Sequence, residues 1–123
     1  MTVLDASAVL AWVQNEPGSS EVTLQGSVLT HVNYLEVVSV LTRKGKSSTT
    51  LQTELALLGV ILRPLSLDEA QHAGEMITQT KSLGLSLGDR ACLAVADLAK
   101  GRAVTADKIW KDIKGIQVQV IRH

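Results

Sequence analysis

Residues 91–99, read as Ala-Cys-Leu-Ala-Val-Ala-Asp-Leu-Ala, set the tightest bound on what this chain can fold into. The segment has helical content and is apolar on nearly every side. A helix of that kind belongs in the middle of a molecule, with partners on more than one face. Short β-branched runs recur around it at Thr2–Leu4 and at residues 27–30, 60–62, 103–105 and 118–121. Helical patterns lie between them, at residues 7–14, 19–25, 33–44, 47–58, 66–83, from Ser86 onward, and 108–113. In the third of these, Tyr34, Leu35, Val37, Val38 and Leu41 fall on one face at the helical period. Ser66-Leu67-Asp68-Glu69 has the spacing of a capping box. Strands alternating with helices predict an α/β domain, with a mostly parallel central sheet and helices on both faces. At 123 residues the chain is expected to form one domain over positions 1–123.

Composition narrows the class. There is no Phe, and Trp12, Trp110 and Tyr34 are the only aromatics, which predicts an aliphatic core. Twelve Lys and Arg balance twelve Asp and Glu. Bulk electrostatics therefore cannot hold nucleic acid, because phosphate affinity rests on an excess of cations displacing counterions. Local patches at Arg43, Lys44 and Lys46, at Lys100 and Arg102, or at Lys108, Lys111 and Lys114 would have to serve, or a bound metal. The ordinary reading of each patch is a solubilising helix end. Cys92 is the single cysteine, so no disulfide framework or zinc knuckle is available, and the chain reads as cytosolic. The first apolar run carries Asp5 and lacks a basic lead-in, unlike a signal peptide. No run approaches the roughly 20 apolar residues of a membrane span.

Familiar site motifs fail one by one. Gly45-Lys46-Ser47 mimics the end of a phosphate-binding loop, but the glycine needed five residues earlier is Val40. His31, His72 and His123 are scattered and read as surface residues. The acids remain. Asp5 follows the first strand and Asp107 follows the fourth, at the sheet edge where ligands gather in parallel α/β folds. Asp89 lies on the helical line of Cys92, Leu93 and Ala96, and so points inward. Each of the three also reads as an ordinary helix cap satisfying backbone N–H groups. Periodicity puts Glu36 on the polar side of its helix, with Ser39 and Arg43. Several carboxylates converging at one edge would repel unless a hard cation such as magnesium or manganese neutralised them.

Four stretches, in order and over essentially the whole chain, resemble the PIN-domain family, in particular the VapC-type toxins of bacterial and archaeal toxin–antitoxin pairs. They are Val3-Leu4-Asp5-Ala6-Ser7-Ala8, Asn33-Tyr34-Leu35-Glu36, Leu85-Ser86-Leu87-Gly88-Asp89-Arg90-Ala91 and Val104-Thr105-Ala106-Asp107-Lys108-Ile109-Trp110. The resemblance implies an α/β/α fold and a Mg2+- or Mn2+-dependent endoribonuclease. It carries over Asp5, Glu36, Asp89 and Asp107 as an acidic quartet holding the metal. Ser7 and Thr105 match supporting hydroxyls, and Asn33, one turn from Glu36, lines the same cleft. A homodimer silenced by a cognate antitoxin is implied as well. Residues 45–63 match least, although in similar toxins that neighbourhood helps bind antitoxin or substrate.

Other readings compete, and one of them, a haloacid-dehalogenase-type phosphatase, fails because position 7 would have to be a second Asp and is Ser7. A PIN nuclease with a housekeeping role in RNA processing shares every motif. A receiver-like domain needs a second acid beside Asp5 and a mid-chain phosphoacceptor, yet no Asp lies between Asp5 and Asp68. A non-catalytic RNA- or protein-binding module would use the same acids only to cap helices.

Overall fold

Five short strands form one wholly parallel sheet in the computed structural model, which describes residues 1–122. They are β1 (Thr2–Leu4), β2 (Val28–Thr30), β3 (Ile61–Arg63), β4 (Arg102–Thr105) and β5 (Gln117–Val120), ordered β3-β2-β1-β4-β5. Val3 pairs with Val28 on one side and with Ala103 on the other. Six helices connect them: α1 (Ala6–Val13), α2 (His31–Arg43), α3 (Leu51–Leu57), α4 (Leu67–Glu75), α5 (Ile77–Thr80) and α6 (Leu87–Leu98). Strand alternation sends Leu4, Leu29 and Val104 into one apolar cluster with α1, α2 and α3. Val3 and Ala103 enter a second cluster with α4, α6 and Trp110. Both sheet faces are covered, as the apolar strands require. The result is a single three-layer α/β/α domain.

The chain runs outward from β1 to β2 and β3, then crosses back to β4 and β5. The order reverses between β1 and β4, and the carboxyl ends of strands at such a switch point are where sheets of this kind bind ligands. Helices α2 and α6 both begin at this edge and run back along the sheet.

The expected elements recur with instructive differences. Residues 91–96 are buried as the apolar pattern requires, but Leu98 is 51% exposed because α6 surfaces in its last turn. The helix expected over 47–58 starts only at Leu51, since the Ser47–Thr50 run makes local side-chain bonds instead, including Thr49 N–H to Ser47 Oγ at 3.3 Å. The long helix over 66–83 breaks at Met76, where buried Thr80 donates back to the Met76 carbonyl at 2.9 Å. Such i−4 bonding bends helices. Residues 19–25 hold only one 3-10 turn, Ser19–Glu21. The core is not purely aliphatic either: Trp110 is its largest fully buried side chain. His31 is exposed and His72 pairs with Asp97 at 2.7 Å, whereas His123 lies outside the described residues. Among the described residues no helix is long and apolar enough to cross a membrane.

The capping box at Ser66 forms as its spacing predicts, and its glutamate has a second task. Glu69 accepts two hydrogen bonds from Arg63, at 2.7 and 3.0 Å, which pins the end of β3 to the start of α4. That bonding holds the Glu69 carboxyl down at about 2. A depressed carboxyl stabilises the fold above its unfolded value of 4.5, and the gain is lost as pH falls toward 2. We expect Glu69→Gln to cost about 1–2 kcal/mol at pH 7 after allowance for solvent screening. Urea unfolding should show the gap from wild type closing between pH 4.5 and 2. A gap independent of pH would mean that the charge contributes nothing.

Candidate active site

Asp5 sits where the sheet order reverses. Its N–H continues the strand pairing to Val104 O at 2.8 Å, and its side chain is only 3% exposed. Although Asp5 occupies the N-cap position of α1, its carboxylate makes no capping bond. Two hydroxyls hold it instead, both on the same oxygen. Ser7 Oγ donates to Oδ2 at 2.6 Å and Thr105 Oγ1 at 3.0 Å. Ser7 Oγ also accepts from Ala106 N–H at 2.9 Å, and Thr105 Oγ1 from Asp107 N–H at 3.1 Å. These bonds lock the ends of β1 and β4 to the first turn of α1.

Asp89 and Asp107 do act as caps, each with one oxygen. Asp89 Oδ2 accepts from Ser86 N–H at 2.9 Å, completing a capping box at the start of α6. Asp107 Oδ1 accepts from Ile109 N–H at 3.1 Å and opens the turn Lys108–Asp112. The capping reading and the site reading are compatible, because a carboxylate has two oxygens.

Glu36 departs from its expected place on the solvent side. It is half-buried, whereas Leu35, expected in the core, is 64% exposed. The buried line of α2 is Asn33, Val37 and Leu41, so a polar side chain occupies a core position. Thr30, the N-cap of α2, fixes Asn33 by accepting from its N–H and donating to its Oδ1 at 2.7 Å. Asn33 Nδ2 then donates both to Glu36 Oε1 and to Gly88 O, each at 3.0 Å. One buried amide thus ties α2 to α6 and turns Glu36 toward Asp89.

Thr30 and Gly88 escaped sequence reasoning. The Thr-x-x-Asn spacing was the available signal for Thr30, but nothing local marks Gly88. A Cβ there would overlap the Glu36 carboxylate. Gly88→Ala is therefore expected to displace Glu36 and lower the turnover of any reaction using it by about 10–100-fold. The melting temperature should change little, since Ala gains up to about 1 kcal/mol of helix propensity over Gly. Unchanged turnover would show that the position of Glu36 is immaterial.

Electrostatics joins the four acids. Burial pushes Asp5 up to about 6, Ser7 and Thr105 oppose the rise, and the charges of Asp89 and Glu36 add to it. Glu36 is raised by burial and by Asp89, and Asp89 by burial and by Asp107. Among the described residues, no three His, Cys, Asp or Glu side chains converge into a metal cage. The donors here are oxygens spread along one edge, and Cys92, its thiol pushed up by burial, sits sealed inside. That donor set suits a small hard cation that keeps much of its own water, as magnesium and manganese do. It does not suit a four-ligand zinc site.

The cationic patches divide. Lys44 and Lys46 donate to Gln14 near the end of α2, and Lys100 and Arg102 lie where β4 begins, all on the edge away from the acids. In the third group Lys108 directly follows Asp107.

A model of the PIN domain matches residues 2–116. No curated protein matches the sequence. Solved structures do. A toxin–antitoxin complex from Klebsiella pneumoniae aligns with TM-score 0.72 at 16% identity, covering 100% of this chain and 99% of the other. VapBC2 from Rickettsia felis, bound to a promoter DNA fragment, gives 0.73 at 15% identity over 97% of each chain. The sarcin–ricin-loop-cleaving toxin VapC20 of Mycobacterium tuberculosis gives 0.69 at 14% identity, over 94% of this chain and 96% of that one. With the family model spanning nearly its whole length and the fold shared end to end with these toxins, the chain belongs to the PIN-domain family.

Proposed function

We propose that this chain is a Mg2+- or Mn2+-dependent endoribonuclease and the toxin of a toxin–antitoxin pair, acting in the cytoplasm. One observation carries the reading. Asp5, Glu36, Asp89 and Asp107 lie along the sheet edge at the switch point, Asp89 near enough to raise both Asp5 and Glu36, each with one oxygen tied to the protein and the other without a protein partner. Asp5 uses only Oδ2 for its bonds to the protein, and its Oδ1 accepts no protein hydrogen bond. The toxins sharing the fold, one of them named for cleaving an RNA loop, support an RNA substrate and a cognate antitoxin.

A divalent cation held by these free oxygens would supply charge stabilisation at phosphorus and make a water more acidic. Asp5 anchors the site, its orientation fixed by Ser7 and Thr105. Glu36 and Asp89, both raised by burial and by neighbouring acids, would share in holding that cation and orient the attacking water, whose proton passes to solvent as its oxygen bonds to phosphorus and the P–O bond to the leaving nucleotide breaks. Asp107 fixes the far side of the site. Exposed Leu57, Leu58 and Ile61, on and beside α3 and β3, offer an apolar surface for a protein partner, and we assign it to a homodimer or antitoxin contact.

The test is incubation of the purified, antitoxin-free chain with structured RNA, with Mg2+ or Mn2+ and with EDTA, beside Asp5→Asn and Asp89→Asn. Discrete cuts that need the cation and vanish in both variants support the reading. Cleavage persisting in both variants would remove the quartet from the mechanism. A folded, cation-binding chain that cuts none of many RNAs would favour a binding role.

A further inference from the structure

An edge lined with carboxylates repels a phosphate backbone, and the chain as a whole has no net charge. An RNA held by this protein therefore needs cations gathered away from the acids. The far end of α2 gathers them. Lys44 Nζ and Lys46 Nζ both donate to a single oxygen, Gln14 Oε1, at 3.2 and 2.9 Å. The backbone builds this pair. Gly45, with φ +72°, turns the chain back after α2, while Lys46 N–H bonds to Leu41 O at 2.8 Å and Gly45 N–H to Thr42 O at 3.0 Å. These two bonds close a helix on a left-handed glycine, and here they set Lys46 beside Lys44. Arg43, one residue earlier, is exposed like both lysines. Among the described residues no ion pair joins any of the three to an acid. Glu16 accepts from the nitrogen of the same amide at 3.3 Å, but Arg122 stands 4.0 Å from its carboxylate. The ends of α1 and α2 each contribute roughly half a negative charge. Three cations exceed what two helix ends call for.

We infer that Lys44 and Lys46, with Arg43 beside them, form a phosphate-binding patch that grips the RNA backbone at a distance from the acids. The inference rests on the RNA substrate proposed above and adds where that RNA is held. An ammonium group binds phosphate as a compact point charge. Gln14 Oε1 is neutral, so a phosphate taking its place between the two lysines meets both charges with one of its own. Lys44 follows Glu36 by eight residues, about 12 Å along a helix that rises 1.5 Å per residue. Glu36, Ser39 and Arg43 share one side of α2, and Ser39 and Arg43 are exposed. A strand lying at the acids thus has an open side of the helix to follow to the patch. Lys100 and Arg102 carry the same charge but are not gathered in this way. Among the described residues they share no acceptor, and Arg102 donates to Thr2 Oγ1 at 3.5 Å.

Fluorescence anisotropy with a labelled single-stranded RNA of mixed sequence, in EDTA and across a KCl series, tests this without any measure of cleavage. Each phosphate contact contributes about 0.7 to the fall of log affinity with log salt. The double variant Lys44→Gln, Lys46→Gln should therefore lose about 1.4 of the wild-type slope, and bind about tenfold more weakly at the lowest salt. Lys44→Arg with Lys46→Arg keeps both charges and should keep the slope. Lys100→Gln with Arg102→Gln removes as much charge elsewhere and should change the slope little. Should the first double variant fail to fold, Lys46→Gln alone should lose about half as much slope. An unchanged slope in the glutamine variant overturns the inference and leaves the patch to an acidic segment of a protein partner. An equal loss in the Lys100 and Arg102 variant, or in the arginine variant, overturns it as well, the first in favour of net charge and the second in favour of a purely structural role. Cleavage by wild type with Mn2+ alongside an unchanged slope overturns the patch alone. The expected slopes with no cleavage of any RNA overturn the nuclease reading and leave the patch standing, and a wild type that binds no RNA at low salt overturns both.

Discussion

Replacing Asp5 by Asn is expected to raise the melting temperature of the cation-free protein near pH 7.5 by about 4 °C or more, and to abolish RNA cleavage in the same variant. The two effects share one cause. Asp5 is buried, and its carboxyl is pushed from 3.8 up to about 6 mainly by the loss of water around it. A carboxyl raised in the folded state lowers stability as pH climbs from 3.8 toward 6, and that loss is complete above 6. A shift of about two units corresponds to about 3 kcal/mol, or about 1–3 kcal/mol once the neighbouring acids relax. Glu36 and Asp89 are raised too and push in the same direction.

Asn suits the pocket. Ser7 and Thr105 both donate to Oδ2, so an amide oxygen there accepts both bonds while the amide nitrogen takes the position of Oδ1, beside the carboxylates of Asp89 and Glu36. The variant keeps the hydrogen bonds and loses the buried charge. Thermal melts at pH 5 and pH 7.5, with and without Mn2+, would decide the matter. Wild type should melt lower at pH 7.5 than at pH 5 without cation and should recover with Mn2+, since a ligand of the native state stabilises it by mass action. Asp5→Asn should be less sensitive to both. A variant that melts lower than wild type and still cleaves would make Asp5 a structural residue.

The strand–helix alternation, the capping boxes at Ser66 and Ser86 and the central position of α6 were legible because each depends on neighbours in sequence. Asp5 and Asp107 were legible as strand-end acids for the same reason. Glu36 was misread for a physical reason. Helical periodicity treats an apolar stripe as the buried face, and it cannot register that buried Asn33 replaces Leu35 on that face. Asn33 belongs there because its partner is a carbonyl 55 residues away, at Gly88, which no local pattern encodes. The same holds for Gly88, whose missing side chain makes room for a carboxylate on another helix. Three acids read as caps or as ligands, and atomic positions show how far each one caps. Asp89 and Asp107 spend one oxygen on capping and keep the other, while Asp5 does no capping at all.

Trp110→Ala should be the most damaging single change in the second core cluster, removing about 3–5 kcal/mol. Domains of this kind hold only about 5–15 kcal/mol in total, so much of the variant should be unfolded at 37 °C. Trp110 is fully buried in the cluster that also holds Met76, Leu93, Val95 and Ala103. No protein group accepts from its Nε1, so its contribution to the protein's own contacts is volume and apolar packing. Trp110→Phe should therefore cost much less than Ala, perceptibly more than nothing because a void remains, and should leave the protein folded. The consequence reaches the acids through the chain. Trp110 N–H bonds back to Asp107 O at 3.2 Å, within the turn that Asp107 itself caps. Anchoring the indole holds that turn, and the turn holds one side of the site. Urea unfolding of both variants, with Mn2+ titration of the folded fraction, should show Phe close to wild type in affinity and Ala weakened in stability and affinity together. A Trp110→Ala protein within about 1 kcal/mol of wild type would refute the packing account, and normal Mn2+ affinity in its folded fraction would cut the link between this core and Asp107.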